Sequence, residues 1–137
     1  MPNFIARILD WPWFALIARI VLTFPFWGSG IGKSLNFQDT VVEMQQYGLK
    51  PPVLIALLVI FTQLGGSLLV IANRRTWSGA GALAIFTLLT IPIAHDFWNL
   101  KGDAAKFEFY VVCEHIALVG GLMVVAILSR FSPRKGA

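Results

Sequence analysis

Two charges and one amide interrupt the long apolar stretches of this 137-residue chain: Arg19, Glu114 and Gln63. In hydrocarbon an ionised residue costs at least about 2.5 kcal/mol, so each should face a protein interior and find a partner there. Arg19 and Glu114 are the obvious pair. At a rise of about 1.5 Å per residue, Arg19 falls about 4 Å on one side of its stretch's midplane and Glu114 roughly 5 to 8 Å on the other, a gap the guanidinium stem or one water could bridge. Gln63 lies between them. The triplet is then either a buried ion pair with an amide that fixes helix register, or a polar pocket for a ligand headgroup or a proton relay. A second set, Lys33, His95, Asp96, Trp98 and His115, gathers near the ends of the same stretches. Imidazole titrates near neutrality and a carboxylate tunes it, so His95 beside Asp96 has the types needed to shuttle protons. Two histidines on different stretches, without Cys-x-x-Cys or His-x-x-x-His, give no metal-ligand spacing, and no metal is expected. Headgroup contact or simple helix termination is the plainer role for Lys33 and Trp98.

These side chains need elements to hold them, and composition says in which solvent. The chain is 57% hydrophobic and 13% charged with a mean hydropathy of +0.73, more apolar surface than a water-soluble fold of one domain could cover. Polar residues collect between long apolar blocks instead of alternating within them. Four blocks reach the length of a spanning helix: 11–32, 52–72, 77–94, and 107 or 111 to 128. The expected fold is therefore all-α, a polytopic four-helix membrane bundle forming one domain over 1–137. Pro12 and Pro52 stand at helix starts, where a missing N–H costs nothing, while Pro25 and Pro92 fall inside spans and should kink them. The first block lacks a small-x-small cleavage site and is read as retained. Between the first two spans, Phe37, Val41, Met44 and Tyr47 recur at helical spacing before Gly48 and Lys50-Pro51-Pro52, which predicts a short helix on the outer surface whose stripe is a packing or interfacial face. Asn73 to Thr76 is a tight connection that makes spans two and three a hairpin. Gly65-Gly66 and Gly120-Gly121 are positions for close helix approach.

Arg7, Arg74, Arg75, Arg130, Arg134 and Lys135 share one face, against Lys33, Lys50, Lys101 and Lys106 on the other, so the termini are expected in the cytoplasm. The net charge of +4 is dispersed over short loops and tails, which excludes a nucleic-acid stripe. A single cysteine, Cys113, excludes an internal disulfide.

Over nearly its whole length the sequence resembles the DoxX family of small bacterial four-helix membrane proteins. The resemblance is carried by Arg19, Trp27-Gly-Ser-Gly-Ile-Gly-Lys33, Tyr47-Gly-Leu-Lys-Pro-Pro52, Gly65-Gly66, His95-Asp-Phe-Trp98 and Gly120-Gly121, in that order. It implies a multi-pass protein of the bacterial inner membrane, linked in some members to thiosulfate and quinone oxidoreduction. It also implies a glutamate in span two and a lysine early in span four, where this chain has Gln63 and Glu114, as though the acidic partner of Arg19 had moved from span two to span four. Two functions follow as expectations: a quinone-linked or redox-associated accessory subunit of an oxidoreductase, or a non-enzymatic bundle that binds lipid, a small ligand or a partner protein. In the first, quinone is the cofactor, held in an apolar slot beside Arg19, Gln63 and His95 and lined by Phe26, Trp27 and Phe97, and electrons come from a redox partner protein. Membrane lipid and a second copy of the chain complete the expected partners.

Overall fold

The computed structural model describes residues 1–131, which form six helices and no strand. They are α1 (Asn3–Leu9), α2 (Pro12–Leu35), α3 (Phe37–Gln46), α4 (Pro52–Ile71), α5 (Thr76–Ala94) and α6 (Gly102–Leu128), with a 3₁₀ turn at Phe97–Asn99 before α6. Helices α2, α4, α5 and α6 are each long and apolar enough to cross a membrane. Pro12 and Pro52 occupy first-turn positions as expected, and the helices continue through Pro25 and Pro92. Helix α6 begins at Gly102, more than a turn before the apolar block, because Asp103 favours a helix N-terminus. The sequence did not announce α1, a short segment with Phe4, Ile8 and Leu9 exposed and Arg7 in its last turn.

Successive spanning helices run antiparallel, which places α1, the α4–α5 turn and the end of α6 at one end, the terminal face. Helix α3, the 3₁₀ turn and the start of α6 lie at the other, the α3 face. Burial is inverted relative to a soluble protein. Thr23, Gln63, Ser67, Thr76 and Thr87 are buried, while Phe24, Phe61, Leu68, Ile85 and Met123 are exposed. Side chains as apolar as lipid have no reason to go inside, so small and polar residues define the contacts between helices. The threonine and serine hydroxyls are satisfied locally: Thr23, Ser67 and Thr87 each donate to the carbonyl four residues back.

Glycines set the seams. A Cβ on Gly79 would stand 2.7 Å from the carbonyl oxygen of Gly66, and one on Gly66 2.8 Å from Leu83, so α4 and α5 meet backbone to backbone. A Cβ on Gly30 would lie 2.8 Å from Leu64, which closes α2 against α4. Of the two glycine pairs singled out above, the second member of each packs a neighbour and the first, Gly65 or Gly120, faces open space. Phe26, Val70, Ala80, Leu83 and Leu122 form the core these seams enclose. Around the bundle the order is α2, α4, α5, α6, and the ring is left nearly open between α2 and α6.

Helix α3 caps its end of the bundle. Val41 and Met44 are buried against Ala56, with Phe37 beside them, so the stripe read from the sequence is a packing face; Tyr47, at its end, is partly covered, at 41% exposure. The Thr40 hydroxyl donates to the Lys33 and Asn36 carbonyls, and the Lys33 ammonium pairs with Glu43, tying α3 back to the end of α2. At the other face, Asn73 and Arg75 adopt positive φ (53° and 49°), and the Arg74 N–H bonds the Leu69 carbonyl to close the expected tight hairpin. Arg134 and Lys135, counted among the cations of that face, lie outside the described residues.

Candidate functional site

The triplet does not assemble. Arg19 and Glu114 form no ion pair, for two geometric reasons. Gly121 of α6 faces Leu22 of α2. From that contact Arg19 lies three residues toward the terminal face and Glu114 seven toward the α3 face, about 15 Å apart along the bundle at 1.5 Å per residue. Side chains on a helix lean toward its N-terminus, and α2 and α6 are antiparallel, so the two groups also lean away from each other. Arg19 is half-buried, whereas Glu114 is exposed on the bundle's perimeter. Gln63 is the one member that is buried, at 4% exposure. Its Nε2 donates to the Ser29 hydroxyl at 3.2 Å and its Oε1 has no protein partner, so it belongs to the α2–α4 seam and not to either charge.

Of the second set, His95 and His115 converge, around a carboxylate that the sequence did not mark. His95 caps α5, and its Nδ1 lies 2.7 Å from Glu108 Oε2. Asp96, the expected carboxylate, is engaged instead with the Asn99 amide at 2.9 Å. His115 stands against His95 with ring centroids 4.7 Å apart, edge to face, and its Nδ1 donates to the Val111 carbonyl at 2.8 Å. A carboxylate and a carbonyl only accept, so both Nδ1 atoms carry a proton, and in the neutral ring each Nε2 lone pair is left to accept one. Glu108 and His115 are seven residues apart, two turns along one face of α6, and that spacing was the signal available for this site. His95 and Glu108 are each about a quarter exposed (23% and 24%), at the α3 face where α5 ends and α6 begins. Phe97 packs on Phe109 and on Trp98, each at 5.3 Å between centroids, and provides an aromatic wall at this corner. Of the three aromatics expected to line a slot, only Phe97 is here: Phe26 is in the core against Phe86, and Trp27 lies along α2, its indole N–H on the Ile20 carbonyl.

Lys33 is held by Glu43 and Trp98 is exposed, as headgroup-level residues would be. Burial first, then the charges of Glu43 and Glu108, push the Tyr47 phenol above its ordinary value of 10.0, which places α3's last turn in the electrostatic reach of the His95–Glu108 pair. Among the described residues no three His, Cys, Asp or Glu side chains converge as a metal set. Two concavities stand out. One, at Gln45–Pro52, is formed by the α3–α4 loop and holds none of the candidate side chains. The other, between α2 and α6, has Arg19 on its wall.

The DoxX family model matches residues 14–96, from α2 through His95-Asp96, and stops before α6 supplies Glu108 and His115. The inner membrane protein YphA of Escherichia coli strain K12 is 28% identical over 116 residues, covering 85% of this chain and 83% of that protein. No solved structure matches the chain. With the family segment spanning more than half of the sequence and four helices of membrane length, the chain belongs to the DoxX family and is a multi-pass inner-membrane protein.

Proposed function

We propose that this protein is a quinone-linked accessory subunit whose α5–α6 corner receives the polar ring of an isoprenoid quinol or quinone. The observation that carries the reading is the 2.7 Å contact of His95 Nδ1 with Glu108, with His115 stacked beside it at a membrane boundary. Glu108 holds the ring so that Nε2 accepts the hydroxyl proton of a quinol, and it stabilises the imidazolium that results. Oxidation of the quinol would send two electrons to a redox partner protein and two protons to solvent, one of them by way of His95. The aromatic wall of Phe97, Trp98 and Phe109 suits a flat ring, and the bundle's apolar perimeter suits an isoprenoid tail. The excess of arginines at the terminal face supports cytoplasmic termini, so protons would leave on the outer side. A non-enzymatic, lipid-binding role is the second reading, and the open α2–α6 seam favours it.

The test is direct. Protein purified in mild detergent is extracted and its lipids identified by mass spectrometry, and a short-chain quinol analogue, kept reduced, is titrated by tryptophan fluorescence. Co-purified quinone is expected, together with a quinol affinity that falls about tenfold in His95→Gln, as loss of the hydroxyl–Nε2 hydrogen bond requires. Absence of quinone with unchanged affinity in the folded variant overturns the reading.

A further inference from the structure

The cavity between α2 and α6, about 380 Å³, opens where the two helices stand apart. Small residues thin both walls: Ala15 and Ala18 on α2, Gly121 on α6. Its polar inventory is specific. Arg19 is half-buried there, and no described carboxylate lies within the 4.0 Å of an ion pair. Asn73 reaches the cavity from the α4–α5 turn. Its Oδ1 accepts the Thr76 hydroxyl at 3.1 Å, so its NH₂ remains as a donor. Ser129 also lines it, but its hydroxyl donates to the Ala126 carbonyl at 2.7 Å; the rest of the lining is apolar, with Leu22, Val124 and Val125 facing the gap.

Depth identifies the level at which a counter-charge must sit. Arg19 follows the start of α2 by seven residues, about 10.5 Å, with Trp11 and Trp13 exposed at that end. The side chain leans toward the helix N-terminus, so a guanidinium extended in that direction reaches the glycerol-phosphate level of the leaflet at the terminal face. An arginine at this depth requires a partner. Among the described residues no acid lies there: six of the seven Asp and Glu side chains belong to the α3-side half, and Asp10 stands exposed at the surface. A second copy in the same orientation brings none either. Arg7, Arg74, Arg75 and Arg130 surround the same face and raise the local concentration of anions.

We infer that the α2–α6 cleft binds an anionic glycerophospholipid from the leaflet at the terminal face. Arg19 takes the phosphate as a fork, Asn73 adds a second donor, and an acyl chain fills the gap along Val124 and Val125 that the two helices leave between them. The lipid completes the helix ring at its one unclosed seam. This site is on the opposite face from His95 and independent of the quinone reading.

The experiment is native mass spectrometry of the full chain released from detergent, titrated with phosphatidylglycerol and phosphatidylethanolamine of identical acyl chains. The wild type should retain phosphatidylglycerol at least about tenfold more tightly. Arg19→Gln should reduce that preference to within about twofold. Lys106→Gln, which removes the same charge at the other face, should leave it intact. Val124→Trp fills the apolar part of the cleft from an exposed position on which packing does not depend, and should weaken both lipids. Inorganic phosphate should not compete. Equal retention of the two lipids overturns the inference, as does equal loss in Arg19→Gln and Lys106→Gln, or a lipid-independent dimer that closes the cleft. Should Arg19→Gln not fold, unaltered lipid binding in Val124→Trp overturns it alone.

Discussion

Helix α2 has two neighbours among the spanning helices and treats them differently. Toward α4 its Gly30 admits Leu64 into the space a Cβ would occupy, and behind that contact Gly66 and Gly79 bring α4 and α5 to backbone distance. Toward α6 it offers Leu22 to Gly121 and little else, and a cavity follows. The closed seams hold glycines, hydroxyls and one amide; the open seam holds Arg19. In lipid, where apolar burial gives no drive for association, the smallest residues decide which helices close, and a charge can stay at a seam that lipid or water reaches.

The sharpest way to break this contrast is Gly79→Ala. The new Cβ strikes a backbone oxygen that cannot rotate aside, and we expect destabilisation of roughly 1–3 kcal/mol, read as a drop in thermal unfolding temperature in detergent. Gly120→Ala meets nothing within 4 Å and should instead stabilise, by up to about 1 kcal/mol, through helix propensity. Similar effects at the two positions would mean that the seams are not glycine-built.

Gln63→Leu is expected to change stability by less than about 1 kcal/mol, because loss of the Ser29 hydrogen bond is offset by removal of a buried unpartnered oxygen. A large loss would show that Oε1 has a partner of consequence. Smaller still is the coupling between Arg19 and Glu114. At about 15 Å apart on an open seam, Arg19→Leu and Glu114→Leu should be additive within about 0.5 kcal/mol in a double-mutant cycle. Coupling above that would restore the pair.

At the α3 face the effect is a shift of titration. The Tyr47 phenol is raised, so its folded-state contribution is present below its ordinary pKa of 10.0 and is lost as pH rises through the raised value. Phenolate absorbance, taken as the difference between wild type and Tyr47→Phe, should show the late ionisation, and Glu43→Gln should move the midpoint back toward 10.0. An unmoved midpoint would assign the shift to burial alone.

The spans were legible because apolar blocks of membrane length have few alternative readings, and α3 because Phe37, Val41 and Met44 share a face above Ala56. Pairing across helices was not. Depth along each span suggested Arg19 with Glu114, but depth says nothing of which face a residue occupies or which way its side chain leans, and those two facts separate them. Glu108 stands at the edge of an apolar block that begins at 107 or 111, so nothing marked it as a partner; the helix begins at Gly102, which puts Glu108 two turns ahead of His115 on one face. His95 was recognised, but its carboxylate was sought next to it in sequence, where Asn99 already engages Asp96.

The central functional claim is that the ligand ring sits at the His95–Glu108–His115 corner and not in the middle of the bundle. A photoreactive short-chain quinol analogue, kept reduced, cross-linked to the protein in detergent and mapped by peptide mass spectrometry, tests it most directly. Labelling should concentrate between His95 and Tyr110, disappear with excess unlabelled quinol and fall sharply in His95→Gln. Competable labelling centred on Ser29 and Gln63, unaffected by His95→Gln, would contradict the account.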